Sequence, residues 1–72
     1  MNFLYQIITS NYVYTLYEEG RIFLHVLNLK NEKSSDIFGV TKILDILHED
    51  TEVTFDDIIE IEDIITTVLI SD

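Results

Sequence analysis

Seventy-two residues with a formal net charge of −10 and no cysteine leave room for one domain, 1–72, and exclude disulfides and thiolate metal sites. Nucleic acid and anionic membranes are gripped by Lys and Arg, and 4 of these stand against 14 Asp and Glu, so direct nucleic-acid and membrane binding are excluded too. What such a field attracts is a basic protein surface.

The first strand is expected over residues 2–9, the second over 12–17 and the third over 21–29, because β-branched and aromatic residues dominate and alternate there. Glu18-Glu19-Gly20 reads as a hairpin loop with Gly20 in the left-handed position. Pairing Tyr17 with Arg21 sets Leu16 opposite Ile22, Tyr14 opposite Leu24 and Tyr12 opposite Val26. A tighter turn at Ser10-Asn11 then adds Ile7, Tyr5 and Phe3 to the same apolar face. Two turns that agree on one face are what a correct register produces. The opposite face mixes Val13, Tyr17, Phe23 and His25 with Leu4, Gln6 and Thr15, and these first four are the expected self-association residues.

After a polar loop at Asn31 to Ser34, Ser35 or Asp36 is placed to cap a helix ending near His48, with Ile37, Val40, Leu44 and Leu47 along one stripe. Asp45 and Glu49 fall one turn apart on its outer side. The last segment is ambiguous. Thr54 and Asp57 form a capping box, Val53 and Ile58 a hydrophobic staple, and Ile58, Ile61, Ile65 and Val68 keep helical spacing. Against a helix, nine of the sixteen residues from Phe55 to Ile70 are Ile, Val or Thr, and a helix brings Glu62 near the apolar stripe. The rival is a hairpin with strands near 58–62 and 65–70. The fold class expected is α+β: a three-stranded antiparallel meander, one helix, then a second helix or a C-terminal β-hairpin.

Charge is divided unevenly along this chain. Residues 1–33 balance three acids against three bases, whereas residues 34–72 hold eleven acids against Lys42 alone. The apolar side chains number 34, with 12 Ile, 8 Leu and no Ala. Burying each is worth about 1.5–3 kcal/mol, and a chain this short covers only part of that surface. Homo-oligomerisation is therefore expected. No apolar run approaches the length of a membrane span, and the first residues lack the pattern of a signal peptide. The cytoplasm is the expected compartment. Scarce Gly, Ala, Arg and Pro reflect an AT-rich genome, such as that of a low-GC bacterium or its virus.

Catalysis finds no foothold in the sequence. Paired carboxylates need a cleft that gives the two different environments, which a chain with no Ala, no Pro and two Gly has little means to shape. His25 and His48 are the only nitrogen ligands, and His48 with Glu49, Asp50 and Glu52 lacks the spacing of helical metal motifs. His48 is better read as a cation at the carbonyl end of a helix. Four isolated serines suggest no nucleophile, and no Gly-rich phosphate loop occurs. No enzyme activity, metal or cofactor is expected.

What remains is the acid array. On a C-terminal helix Asp56, Glu60 and Asp63 stand about 6 Å apart, close to the separation of successive phosphates in a nucleic-acid strand. A solvated helix commonly mixes charge signs, which this half does not. With Asp45 and Glu49 these residues form the expected partner-binding set of a non-enzymatic inhibitor resembling DNA to its target. The alternatives are an antitoxin, immunity or antirepressor-type protein binding through an apolar sheet face, and a structural or assembly subunit.

Overall fold

The computed structural model describes residues 1–70. Its chain runs β1 (Asn2–Ile8), β2 (Tyr12–Glu19), β3 (Arg21–Asn28), β4 (Ser34–Phe38), α1 (Val40–Glu49) and α2 (Phe55–Ile70). The four strands form one antiparallel sheet in the order β1-β2-β3-β4, and the two helices pack together on one side of it. This is an α+β fold, a meander followed by two helices.

Three connections fix the sheet. Between β1 and β2, the Thr9 backbone N–H donates to the Tyr12 carbonyl at 2.9 Å, and Thr9 Oγ1 accepts from the Tyr12 N–H at 3.0 Å, so the side chain doubles the turn. Between β2 and β3, Gly20 sits at φ 73°, the left-handed conformation that glycine adopts without steric cost. Between β3 and β4, Asn28 Oδ1 accepts from the Lys30 N–H at 2.9 Å, and the loop closes by Asn28 N–H to Lys33 carbonyl at 2.8 Å.

The observed register corrects the expected one in two places. Glu19 pairs with Arg21, which sets Leu16 opposite Leu24 and Tyr14 opposite Val26. This lies two residues from the Tyr17–Arg21 register, and a two-residue slip leaves every side chain on its own face. The alternation of apolar residues is blind to it, and turn geometry decides. On the other edge the ladder runs as expected from Ile8–Val13 to Tyr5–Leu16, then breaks at Leu4, so that Phe3 lies opposite Tyr17. That bulge turns Phe3 away from the core and lets Leu4 pack against it instead.

The fourth strand is the main departure. Ser35 and Asp36 do not cap a helix; they lie in β4, paired with Val26 and His25. The helix begins only after Gly39, which has φ 99° and ψ 126° and offers no side-chain cap. A Cβ there would meet nothing within 4 Å, so what calls for glycine is the backbone conformation that turns an edge strand into a helix. Ile37, opposite Leu24, is the one β4 side chain in the core's outer shell.

The C-terminal segment is a helix, and the hairpin alternative is excluded. The Asp57 N–H donates to Thr54 Oγ1 at 3.1 Å, and the staple residues Val53 and Ile58 are both buried. Ile58, Ile61 and Ile65 reach the core while Glu62 stays exposed. The centre of the core is Leu16 and Leu24 from the sheet, Ile43 and Leu47 from α1, and Ile61 from α2. Leu47 is buried as expected, and Ile43, outside the expected stripe, is buried equally, with Val40 and Leu44 packed beside them.

Candidate functional site

Because both helices cover the same face of the sheet, the molecule has two unlike outer surfaces. The helical side, residues 40–70, holds nine Asp and Glu against Lys42. Three of the nine secure this layer to the sheet. Asp57 Oδ1 accepts from the Tyr5 hydroxyl at 2.7 Å, and Asp50 accepts from the Tyr14 hydroxyl and from the Glu52 N–H at 2.9 Å. Glu52 in turn accepts from both the hydroxyl and the N–H of Ser10. These contacts hold the phenols protonated. Asp57's hydrogen bond, then burial, raises the Tyr5 pKa to about 12, and burial, then Asp50, raises Tyr14 further.

The other six, Asp45, Glu49, Asp56, Glu60, Glu62 and Asp63, are exposed. Among the described residues none of them has a side-chain hydrogen bond or an ion pair. All five acids expected to bind a partner belong to this group, with Asp45 and Glu49 a turn apart on α1 and Asp56, Glu60 and Asp63 along α2. Glu62 joins them. Its position near the stripe of buried isoleucines had suggested a conflict with the helix, and the helix relieves it by turning the carboxylate outward.

Beside the acids an open cleft of about 470 Å³ lies between the loop after α1 and the sheet, lined by Tyr12, Tyr14, Ile46, Glu49, Asp50 and Glu52 among others. Two of its three carboxylates are those already bonded to Tyr14 and Ser10. Among the described residues no group of three or more His, Asp or Glu side chains is arranged to hold a metal ion, and no helix is long and apolar enough to cross a membrane. Family models, curated proteins and solved structures yield no match to this chain.

The opposite surface is the bare face of the sheet, and it is built in rows. One row crosses all four strands as Phe3–Tyr17–Phe23–Phe38. Successive ring centroids are 6.3, 5.5 and 5.4 Å apart, within the range of favourable aromatic pairs. The Arg21 guanidinium caps the end of the row, 3.9 Å from the Phe38 ring centroid. The next row is polar. Gln6 Nε2 donates to Thr15 Oγ1 at 3.1 Å, and His25 Nδ1 lies 2.7 Å from Asp36 Oδ1. A third row sets Ile8 beside Val13 and Leu27.

All four residues expected to mediate self-association, Val13, Tyr17, Phe23 and His25, lie on this face. The sequence reading missed Phe3 and Phe38, which complete the aromatic row. Phe3 was hidden by the bulge, which alternation alone does not reveal. Phe38 was hidden inside a segment whose Ser and Asp imitate a helix start.

Proposed function

We propose that the protein is a non-enzymatic inhibitor or modulator, acting in the cytoplasm, whose helical layer engages the basic surface of a nucleic-acid-handling protein in the manner of a DNA mimic. The observation that carries this reading is the set of six exposed carboxylates on α1 and α2 without a partner among the described residues. Charges of one sign gathered on one side repel each other, and a fold is more stable when signs are mixed. A basic partner would relieve that cost. Spaced at one helical turn, Asp56, Glu60 and Asp63 offer it a line of anionic groups at phosphate-like intervals.

The test is capture of proteins from extracts of the source cell on the immobilised chain, followed by elution with salt and competition with duplex DNA. Bound proteins should leave steeply with salt and be displaced by the duplex, since exposed charges are screened and share one basic surface. Changing Asp56, Glu60 and Asp63 together to Asn or Gln should abolish capture while the circular dichroism spectrum stays the same. Neutralising Glu18 and Glu19, in the hairpin of the charge-balanced half, should change little. Capture that persists in the triple variant and at high salt overturns the reading. Recognition would then pass to the sheet face, as an antitoxin, immunity or antirepressor-type protein would use it, and a fixed-stoichiometry assembly with no basic partner would indicate a structural subunit.

A further inference from the structure

We propose that the bare face of the sheet is the interface of a homodimer, in which two copies pack face to face with their helices outward. Three features of this face fit a second copy.

Its size is the first. Four strands at ~4.8 Å spacing and up to eight residues at ~3.3 Å give a flat footprint of roughly 500 Å². With side-chain relief, that approaches the ~800 Å² that each partner buries in a standard interface. A sheet-on-sheet core of alternating side chains is also a stable way to close an antiparallel sheet that is apolar on both faces.

Charge is the second. A chain of net charge −10 resists self-association through most of its surface, but the six unpaired acids of α1 and α2 lie on the far layer, while of the acids at the bare face Asp36 meets His25 and Glu19 stands opposite Arg21 at the rim. Packed sheets stand ~10 Å apart and a helix adds ~10 Å on each side, so the two acid layers would be roughly 30 Å apart. That is several Debye lengths at ~0.15 M ionic strength. An arrangement using the helical layer would cover the exposed Phe55, Ile59, Leu69 and Ile70 of α2 but would set acid against acid around them.

The third is that the polar row crossing the face is already paired within it. The Gln6–Thr15 and His25–Asp36 pairs bond within the face, which reduces the usual penalty of burying a polar row. The large apolar side chains left for a partner to cover are Phe3, 60% exposed, Ile8, 69%, and Phe38, 39%, with Arg21 and Glu19 at the rim. A dimer of this form would present two acid layers on opposite sides, and so bind two basic partners or two sites on one.

Sedimentation equilibrium from low-micromolar to near-millimolar concentration should show a monomer–dimer equilibrium in the unaltered chain. Phe3→Glu and Ile8→Glu are at exposed positions and should leave the fold intact while each raises the dissociation constant by roughly tenfold or more. Phe55→Glu, at a position equally exposed on α2, should leave it unchanged. Isotope-filtered NMR on the unaltered chain gives a readout that no variant can confuse: contacts between copies should involve the Phe3, Tyr17, Phe23 and Phe38 rings. A chain monomeric at the highest concentration overturns the proposal. So does a dimer dissolved by Phe55→Glu but not by the sheet variants, or one whose intermolecular contacts lie on α2.

Discussion

The two faces of one sheet are made from the same strands and nearly the same residue types, yet they meet opposite fates. Even positions of β2 and β3 are almost all apolar or aromatic, and odd positions set Val13, Tyr17, Phe23 and Leu27 beside Thr15 and His25. Leu16 and Leu24 point one way and are wholly buried under the helices. Tyr17 and Phe23 point the other way and are sheltered chiefly by each other and by Phe3 and Phe38. The difference lies in what the rest of the chain supplies. Its helices bury a single apolar stripe each, enough to cover one face, and their outer sides carry the acids, with Phe55, Ile59, Leu69 and Ile70 of α2 exposed among them. Hydrophobicity alone therefore does not say which face becomes the core; the connection after β4 does, by sending both helices to the same side.

The largest expected effect separates these faces directly. Leu24→Ala empties a site with no exposure and should cost about 2–5 kcal/mol, a large part of the ~4–11 kcal/mol expected for a domain of this length. Ile8→Ala, at 69% exposure, should stay within about 0.5 kcal/mol. Urea unfolding at concentrations where the chain is monomeric measures both, and equal losses would break the distinction between core and bare face.

An intermediate effect belongs to the tyrosines that fasten the helical layer. Tyr14→Phe leaves Asp50 without its phenol and should cost about 1–2 kcal/mol. The same contacts predict the response to alkali. Folded Tyr5 titrates near 12 and Tyr14 higher, against 10 for a free phenol. The folded state therefore holds these protons more tightly, and the stability they contribute is complete below pH 10 and lost as pH rises from there through 12. Thermal melts across that range should fall in the unaltered chain and fall less in the Tyr5→Phe/Tyr14→Phe double variant. Identical slopes would show that the phenols do not tie the layers together.

The smallest effect sharpens the charge comparison. Screening of the six unpaired carboxylates should add a few tenths of a kcal/mol between low and moderate salt, a rise of about 1–4 °C in Tm. Replacing Asp56, Glu60 and Asp63 with their amides should flatten that rise. A Tm that drops with added salt would mean that attractive pairs outweigh repulsion.

Much of this was legible in the chain. The meander, its faces and the C-terminal helix follow from alternation, from Gly20 and from the Thr54–Asp57 cap, each of which is local. The fourth strand was not legible, because, of the two side chains that Ser34 to Phe38 turns to the core side, Ser35 and Ile37, only Ile37 is apolar, which leaves no alternation to display. Its identity comes from pairing with β3, a relation between segments. The Leu4 bulge and the two-residue slip at the hairpin are likewise invisible to any pattern of period two. The acids expected to bind a partner were found correctly as exposed. That Asp50, Glu52 and Asp57 would instead be drawn into bonds with Ser10, Tyr5 and Tyr14 depends on contacts across 36 to 52 residues.

Those same distant bonds imply an order of assembly. Every strand pairs with its neighbour in sequence, so the sheet closes through short loops and forms early and locally. The contacts from Tyr5 to Asp57 and from Ser10 to Glu52 close only once the chain has been made through Asp57 and Glu52, 52 and 42 residues on. On a ribosome, strands would therefore appear before the helix that shelters them. Until α2 emerges, Leu16 and Leu24 are left less covered than in the finished fold, and both sides of the nascent sheet are sticky. The sixteen-residue helix α2 supplies part of the cover over the sheet, and truncation before Phe55 should yield a chain that aggregates as it is made.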